Sequence, residues 1–181
     1  QQGDLAAALP YLERATTLRP DWSEARYNFG AALWYSGDRD KAIAELRESV
    51  RLDSASPGGH AFLGMALREA GDLAGARGSL QRAMALAPAM AAAYIDLGIV
   101  FLRAGSLEQG VGQIEAGLNV PTPVPPAPDW DATIAALRQA LTSNPEHAAA
   151  HNLLGLALGR KGAPGDEVAD APGPGQLTVL G

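Results

Sequence analysis

No cysteine occurs among the 181 residues, which removes disulfides and thiolate chemistry from consideration. That absence suits a reducing or an oxidising compartment alike, so bacterial cytoplasm and periplasm both stay open. Aromatic residues make up only 6%. The apolar content rests on alanine and leucine, which suits closely packed helices better than a sheet-based core. No basic block appears, and the formal charge of -6 with a pI near 5.0 argues against a nucleic-acid partner. No apolar run approaches the roughly 20 residues that span a bilayer, so direct membrane insertion is not expected. A phosphate loop, a complete dinucleotide glycine fingerprint and a nucleophile elbow are also missing. Gly110-Val-Gly112 and Gly173-Pro-Gly175 are incomplete fragments of such patterns. The expectation is a chain without a catalytic site or cofactor.

What is present is a period. Gly3, Gly37, Gly71 and Gly105 are evenly spaced, and Gly30, Gly64 and Gly98 repeat the same interval. Other columns share the register. One small position carries Ala8, Ala42, Ala76 and Gly110; a large apolar one carries Leu12, Leu46, Leu80 and Ile114; a second small one carries Ala15, Ser49, Ala83 and Gly117. A fixed interval of this length marks a supersecondary unit copied along the chain. The chain starts at Gln1 without an initiator methionine and enters the repeat halfway, as expected for a piece of a longer protein.

Each copy reads as a helical hairpin. Ser23 to Ser36 places Phe29, Gly30 and Leu33 on one face, and Gly37 follows as a C-terminal glycine. Asp38 is an N-cap candidate for a second helix with Ala42, Ile43, Leu46 and Val50 as its stripe. Gly71-Asp72 and Gly105-Ser106 repeat the punctuation. Ser106 with Gln109 predicts a capping box, and Asp21 with Glu24 an acidic version of it. Glycine at the helix crossing permits close approach, so leucine at Gly64 should wedge its hairpin apart.

These residues resemble the tetratricopeptide repeat, most clearly in Glu24 to Asp53, then Gly58 to Pro88 and Ala92 to Leu118, with Gly3 to Pro20 matching only a second helix. The resemblance implies an all-α fold, a right-handed superhelical array of antiparallel helix pairs of the TPR-like α-solenoid kind. Residues 1–120 would form a half repeat plus three repeats. Residues 121–128 contain Pro121, Pro123, Pro125, Pro126 and Pro128, and proline cannot sustain a first helix there. This segment reads either as an extended bridge replacing the lost helix or as a hinge. Residues 129–162 resemble partial repeats, a second helix followed by a first. The step from Gly98 to Gly155 falls short of two full periods, so one copy is incomplete. Residues 163–181, rich in proline and glycine, read as a disordered tail in which only Leu177 to Leu180 suits a strand.

In this family the first helices line a concave face, which the resemblance makes the candidate site. In the second unit that face would carry Tyr27, Asn28, Trp34 and Tyr35. The third unit would add Phe62, Met65 and Arg68, and the fourth Ile95, Ile99, Leu102 and Arg103. An apolar stripe of this kind implies a protein or peptide segment as partner, with the arginines fixing its polarity. The competing reading packs Trp34, Tyr35 and Phe62 between units. Some relatives grip a chaperone's terminal carboxylate with basic side chains, but the corresponding positions here are Tyr27, Ala31, Phe62, Ala92 and Asp96. A carboxylate-terminated peptide would find no charge partner on them.

His147 and His151, four apart on a predicted helix, have the spacing of a metal pair but no third ligand. His60, Tyr94 and His151 share one column, which favours packing, so no metal is expected. Arg47, Glu48, Arg51, Arg77 and Arg82 read as solvated surface. The reading that emerges is a non-catalytic interaction scaffold, with the repeat region of a larger bacterial enzyme such as a glycosyltransferase or peptidase as the alternative. Self-association through open array ends is a further option.

Overall fold

A computed structural model of the chain describes residues 5–120, 134, 137, 138, 141, 142 and 144–161. All regular structure among them is helical. Eight helices are complete: α1 (Leu5–Leu18), α2 (Ser23–Ser36), α3 (Arg39–Leu52), α4 (Pro57–Glu69), α5 (Leu73–Leu86), α6 (Ala91–Arg103), α7 (Leu107–Leu118) and α8 (Ala148–Lys161). The proline segment and the tail, with the bridge, hinge and strand readings attached to them, lie outside the described residues.

The turns follow from glycine. Gly37, Gly71 and Gly105 take φ of 95°, 86° and 82°, the left-handed region that other residues enter only with strain. Each reversal then lets the next amide reach back along the helix, Asp38 to Leu33, Asp72 to Leu67 and Ser106 to Phe101, at 3.0, 2.9 and 2.8 Å. That bond satisfies a helix-end carbonyl and stops the first helix. The second helix starts at once, capped where a side chain reaches: Asp72 Oδ1 accepts from Gly75 N at 2.9 Å, and Asp38 Oδ1 from Lys41 N at 3.4 Å. Two expected caps are not formed. Ser106 occupies the N-cap of α7 without a side-chain bond, and the N-cap of α2 is Trp22, so Asp21 and Glu24 make no box. α4 instead uses Ser56 Oγ, accepting from Gly59 N at 3.1 Å, with Pro57 in the first turn where its missing N–H costs nothing.

The repeat columns are the core. Ala8, Ala42, Ala76 and Gly110 are buried, as are Leu12, Leu46 and Leu80, while Ile114 is partly buried. Small against large is what lets paired helices touch. A Cβ on Gly64 would lie 2.5 Å from Leu80 Cγ, and one on Gly98 would lie 2.7 Å from the Gly110 carbonyl oxygen.

The described residues form two compact units: 5–52 with those from 134 to 161, and 53–120. In the second, α4 and α5 make one hairpin, α6 and α7 the next, and α6 packs on both α4 and α5. In the first, α2 and α3 make a hairpin, and α2 also packs on α1 and α8. The sequence places 129–162 after the main array. In the structure α8 lies antiparallel against α1, at the start of the chain. Gly155 faces Leu12, with a Cβ there 2.4 Å from Leu12 Cγ and 3.1 Å from the Ala8 carbonyl oxygen. Ile134, Leu154, Ala157 and Leu158 complete one core cluster with Ala8, Leu12 and Ala32, and Leu137 and Leu141 pack against it.

Candidate functional site

The eleven residues assigned to a binding face by their register fall into different environments. On α2, Tyr27 is 5% exposed, and Asn28 and Trp34 are also buried. Arg39 lays its guanidinium over the Trp34 ring, 4.7 Å from the centroid, an arrangement that fixes both side chains. Tyr35, the next residue along the helix, is 49% exposed. Asn28 Nδ2 donates to Asn152 Oδ1 of α8 at 3.0 Å in a fully buried amide pair. Asn152 is a partner that period reading alone does not reveal, because it lies 124 residues away.

On α4 and α6 of the second unit the picture divides again. Phe62 is 1% exposed and belongs to the core. Met65, Ile95 and Ile99 are partly buried, and Leu102 is 38% exposed. Ile95, Ile99 and Leu102 follow the i, i+4, i+7 spacing of one helical stripe, and Met65 holds the Ile99 column of the preceding copy. Ile95 and Leu102 also pack within their hairpin, beside Gly117 and Gly110 of α7, and the edges these residues leave accessible make up an apolar strip of register positions on α4 and α6.

Both arginines of this face are already engaged within the unit. Arg68 Nη2 lies 3.1 Å from Asp96 Oδ1 and Nη1 lies 3.0 Å from Glu69 Oε1. The Arg68 and Asp96 side chains are largely buried, so the ion pair is weakly screened and ties α4 to α6. Arg103 Nη1 donates to the Arg68 carbonyl oxygen at 2.9 Å and its Nη2 stands 3.7 Å from Glu69. Arg68 Nε is buried without a partner. Its other nitrogens serve the fold, while Arg103 remains exposed at the end of the strip. The signal for this clamp was in the sequence, since Arg68 and Glu69 meet Asp96 and Arg103 on consecutive first helices.

Both histidines considered for metal binding make hydrogen bonds within the protein. His147 Nδ1 accepts from Ala150 N at 3.1 Å, capping α8, and His151 Nε2 contacts the Pro145 carbonyl oxygen at 2.8 Å. The His151 ring stacks on Tyr11, centroids 5.8 Å apart. The contact is a property of the column: Arg26 Nε reaches the Pro20 carbonyl oxygen at 2.8 Å and His60 Nε2 the Ser54 carbonyl oxygen at 3.2 Å, each at the same step upstream. In these three copies a donor at this position ties down the loop that enters the first helix. No cluster of three metal-ligating side chains occurs among the described residues. An apolar cavity of about 230 Å³ lies beside the start of α8, lined by Leu137, His147, Ala149, Ala150 and Leu153.

Comparison with known proteins agrees with this architecture. Two sequence profiles described as tetratricopeptide repeat match residues 1–64, and residues 63–118 with 129–171. No curated protein matches significantly. Among solved structures, MamA superposes with a TM-score of 0.62 at 23% identity, covering 86% of this chain and 87% of that one. A MamA fragment from Desulfovibrio magneticus RS-1 gives 0.61 at 23% identity over 90% and 89%. Cut9, in a hetero-tetramer with Hcn1 of the APC/C, gives 0.61 at 21% identity over 96% of this chain and 38% of that one. The chain belongs to the tetratricopeptide-repeat family.

Proposed function

We propose that this chain is a non-catalytic protein-interaction scaffold whose apolar strip on α4 and α6 holds an amphipathic helix or an extended apolar peptide. The observation that carries the reading is the strip itself: Met65, Ile95, Ile99 and Leu102 line up in register on first helices and keep solvent-accessible edges. Membership of a family built for protein contacts supports it, as does a structural relative solved in complex with Hcn1. Of the residues first assigned to the face, Tyr27, Asn28, Trp34 and Phe62 are buried, each within its own unit. Arg103, exposed at the strip's end, is the charge a partner would meet.

The test is a pull-down of partners with the whole chain as bait, repeated with Met65→Ser and Ile99→Ser together. Capture should fall at least tenfold while helix content and thermal midpoint hold. Undiminished capture by the double variant would end the reading. A second reading, association of copies through array ends, is favoured by Leu107 and Val111, 67% and 51% exposed and one turn apart on α7. Sedimentation of Val111→Ser would separate the two, since only the second reading needs that residue.

A further inference from the structure

The pairing of α8 with α1 is built like the interior of a hairpin but lacks the hairpin's turn. In the other three pairs the first helix runs through a left-handed glycine straight into the second. Glycine meets the large apolar residue in each: Gly30 against Leu46, Gly64 against Leu80, Gly98 against Ile114. Gly155 against Leu12 reproduces that contact, down to the approach to the carbonyl of the small residue one turn earlier, Ala8 here and Ala42 or Ala76 elsewhere. Yet the chain leaves α1 at Leu18 and is back in its core cluster only by Ile134, with α8 following from Ala148, after both hairpins of the second unit.

We infer that α8, with the residues from 134 that lead into it, is an exchangeable element, and that two copies of this chain associate by each lodging its own α8 against the α1 of the other. The contacts made in exchange are the contacts already present within one chain. Exchange of identical contacts between copies is a low-cost route to a dimer. The sequence between α7 and this element carries Pro121, Pro123, Pro125, Pro126 and Pro128. Which form dominates then depends on protein concentration relative to the effective concentration of a tethered α8, commonly in the millimolar range.

The occupant is specified by chemistry. The slot beside α2 presents Asn28, whose buried amide is paired with Asn152. A foreign apolar helix would leave Asn28 buried without that donor–acceptor contact, a cost that discriminates against it. A helix whose asparagine precedes the crossing glycine as Asn152 precedes Gly155 fits. Tyr11 stacking on His151, and Arg14 pairing at 2.6 Å with Glu146 just ahead of α8, extend the match.

The absence of cysteine makes the test direct. A Cβ on Gly159 would lie 3.7 Å from Leu5 Cδ2, so the two positions face each other across the helix pair. One full-length preparation carries Leu5→Cys and another Gly159→Cys; they are mixed, unfolded, refolded together and oxidised. Exchange predicts a covalent dimer of twice the 18.7 kDa chain, its yield rising with refolding concentration. Gly155→Leu in the Gly159→Cys chain should cut that yield at least tenfold. A single chain with both cysteines, oxidised at high dilution, shows whether the positions can join. Tyr11→Cys with His151→Cys repeats the measurement further along the same pair of helices. The inference is overturned if the doubly substituted chain closes on itself while mixed chains stay monomeric near millimolar concentration. It is equally overturned if Leu5→Cys links no better to Gly159→Cys than to Gly112→Cys on α7.

Discussion

Glycine at a helix crossing is under two opposed demands, and the structure says which prevails at each site. Within a helix, alanine is favoured over glycine by about 0.5–1 kcal/mol, because glycine loses more backbone freedom on folding. At Gly98 the added methyl would sit 2.6 Å from Ile114 Cγ1, 2.7 Å from the Gly110 carbonyl oxygen and 3.0 Å from Ile114 N. Two of these three obstacles are backbone, so relief requires α6 and α7 to move apart. Overpacking of that kind costs about 1–3 kcal/mol, and the expected net loss for Gly98→Ala is about 1–2 kcal/mol. At Gly112, in the same unit, nothing lies within 4 Å, so Gly112→Ala should gain about 0.5–1 kcal/mol. Gly64→Ala falls between them, since its two nearest obstacles are side-chain atoms of Leu80 at 2.5 and 2.9 Å. Urea denaturation of the full chain, followed by far-ultraviolet circular dichroism, measures the order. Two units can unfold separately, so the transition is fitted for more than one step before free energies are compared. Gly98→Ala and Gly112→Ala agreeing within about 0.5 kcal/mol, the lower edge of the helix-propensity gain, would refute the close-approach account.

Three further outcomes follow from contacts already described. Arg68→Met leaves the largely buried Asp96 carboxylate without its main partner and should cost about 3–5 kcal/mol, whereas adding Asp96→Leu should restore most of it; thermal melting of both variants checks this, and equal midpoints would show that the pair contributes nothing. Trp34→Ala should lower stability by about 3–5 kcal/mol because the ring is buried under Arg39; loss of partner binding with an unchanged melt would return Trp34 to the binding face. His60 holds its proton less tightly than the ordinary 6.5, chiefly through burial, with the Arg82 charge acting the same way and the Ser54 carbonyl and Asp53 opposing. The unfolded chain therefore takes up that proton first as pH falls, so stability should decline from about pH 6.5 downward through the folded value. His60→Gln should flatten this slope across the acidic side of neutrality, and an unchanged slope would assign it elsewhere.

The interior of each hairpin was legible because the physics repeats with the sequence. A small residue on one helix must face a large one on the other, and a glycine must supply the left-handed turn; Gly30, Leu46 and Gly37 satisfy these conditions together, as do their counterparts one period on. The caps were less legible. Ser106 followed by Gln109 has the right letters, but its side chain does not reach an amide, and Asp21 misses by one position because the helix begins after Trp22. The face was half legible. Helical spacing separates an inward flank from an outward one but does not say how much of a side chain the next helix covers, so Phe62 and Met65, close neighbours on α4, were grouped although one is core and the other partly accessible.

The placement of α8 exposes the deeper limit. A repeat encodes the contacts between the two helices of a hairpin, and every copy encodes nearly the same contacts. Asn152-Leu153-Leu154-Gly155 therefore carries the code for a first helix facing a second helix with a small and a large apolar column. α1 offers those columns through Ala8 and Leu12, just as α3 does through Ala42 and Leu46. Period alone ranks these addresses equally, and chain order suggests a position after α7. What breaks the tie is chemistry outside the repeated columns. Asn152 Oδ1 accepts from the Asn28 amide where the same register position offers Phe62 on α4 and Asp96 on α6, and neither a phenyl ring nor an ionised carboxylate can donate to that oxygen. In such an array, stability is written in the repeated positions and address in the exceptions. A buried polar residue that departs from its column is accordingly the place to look for which helix pairs with which, within one chain or between two.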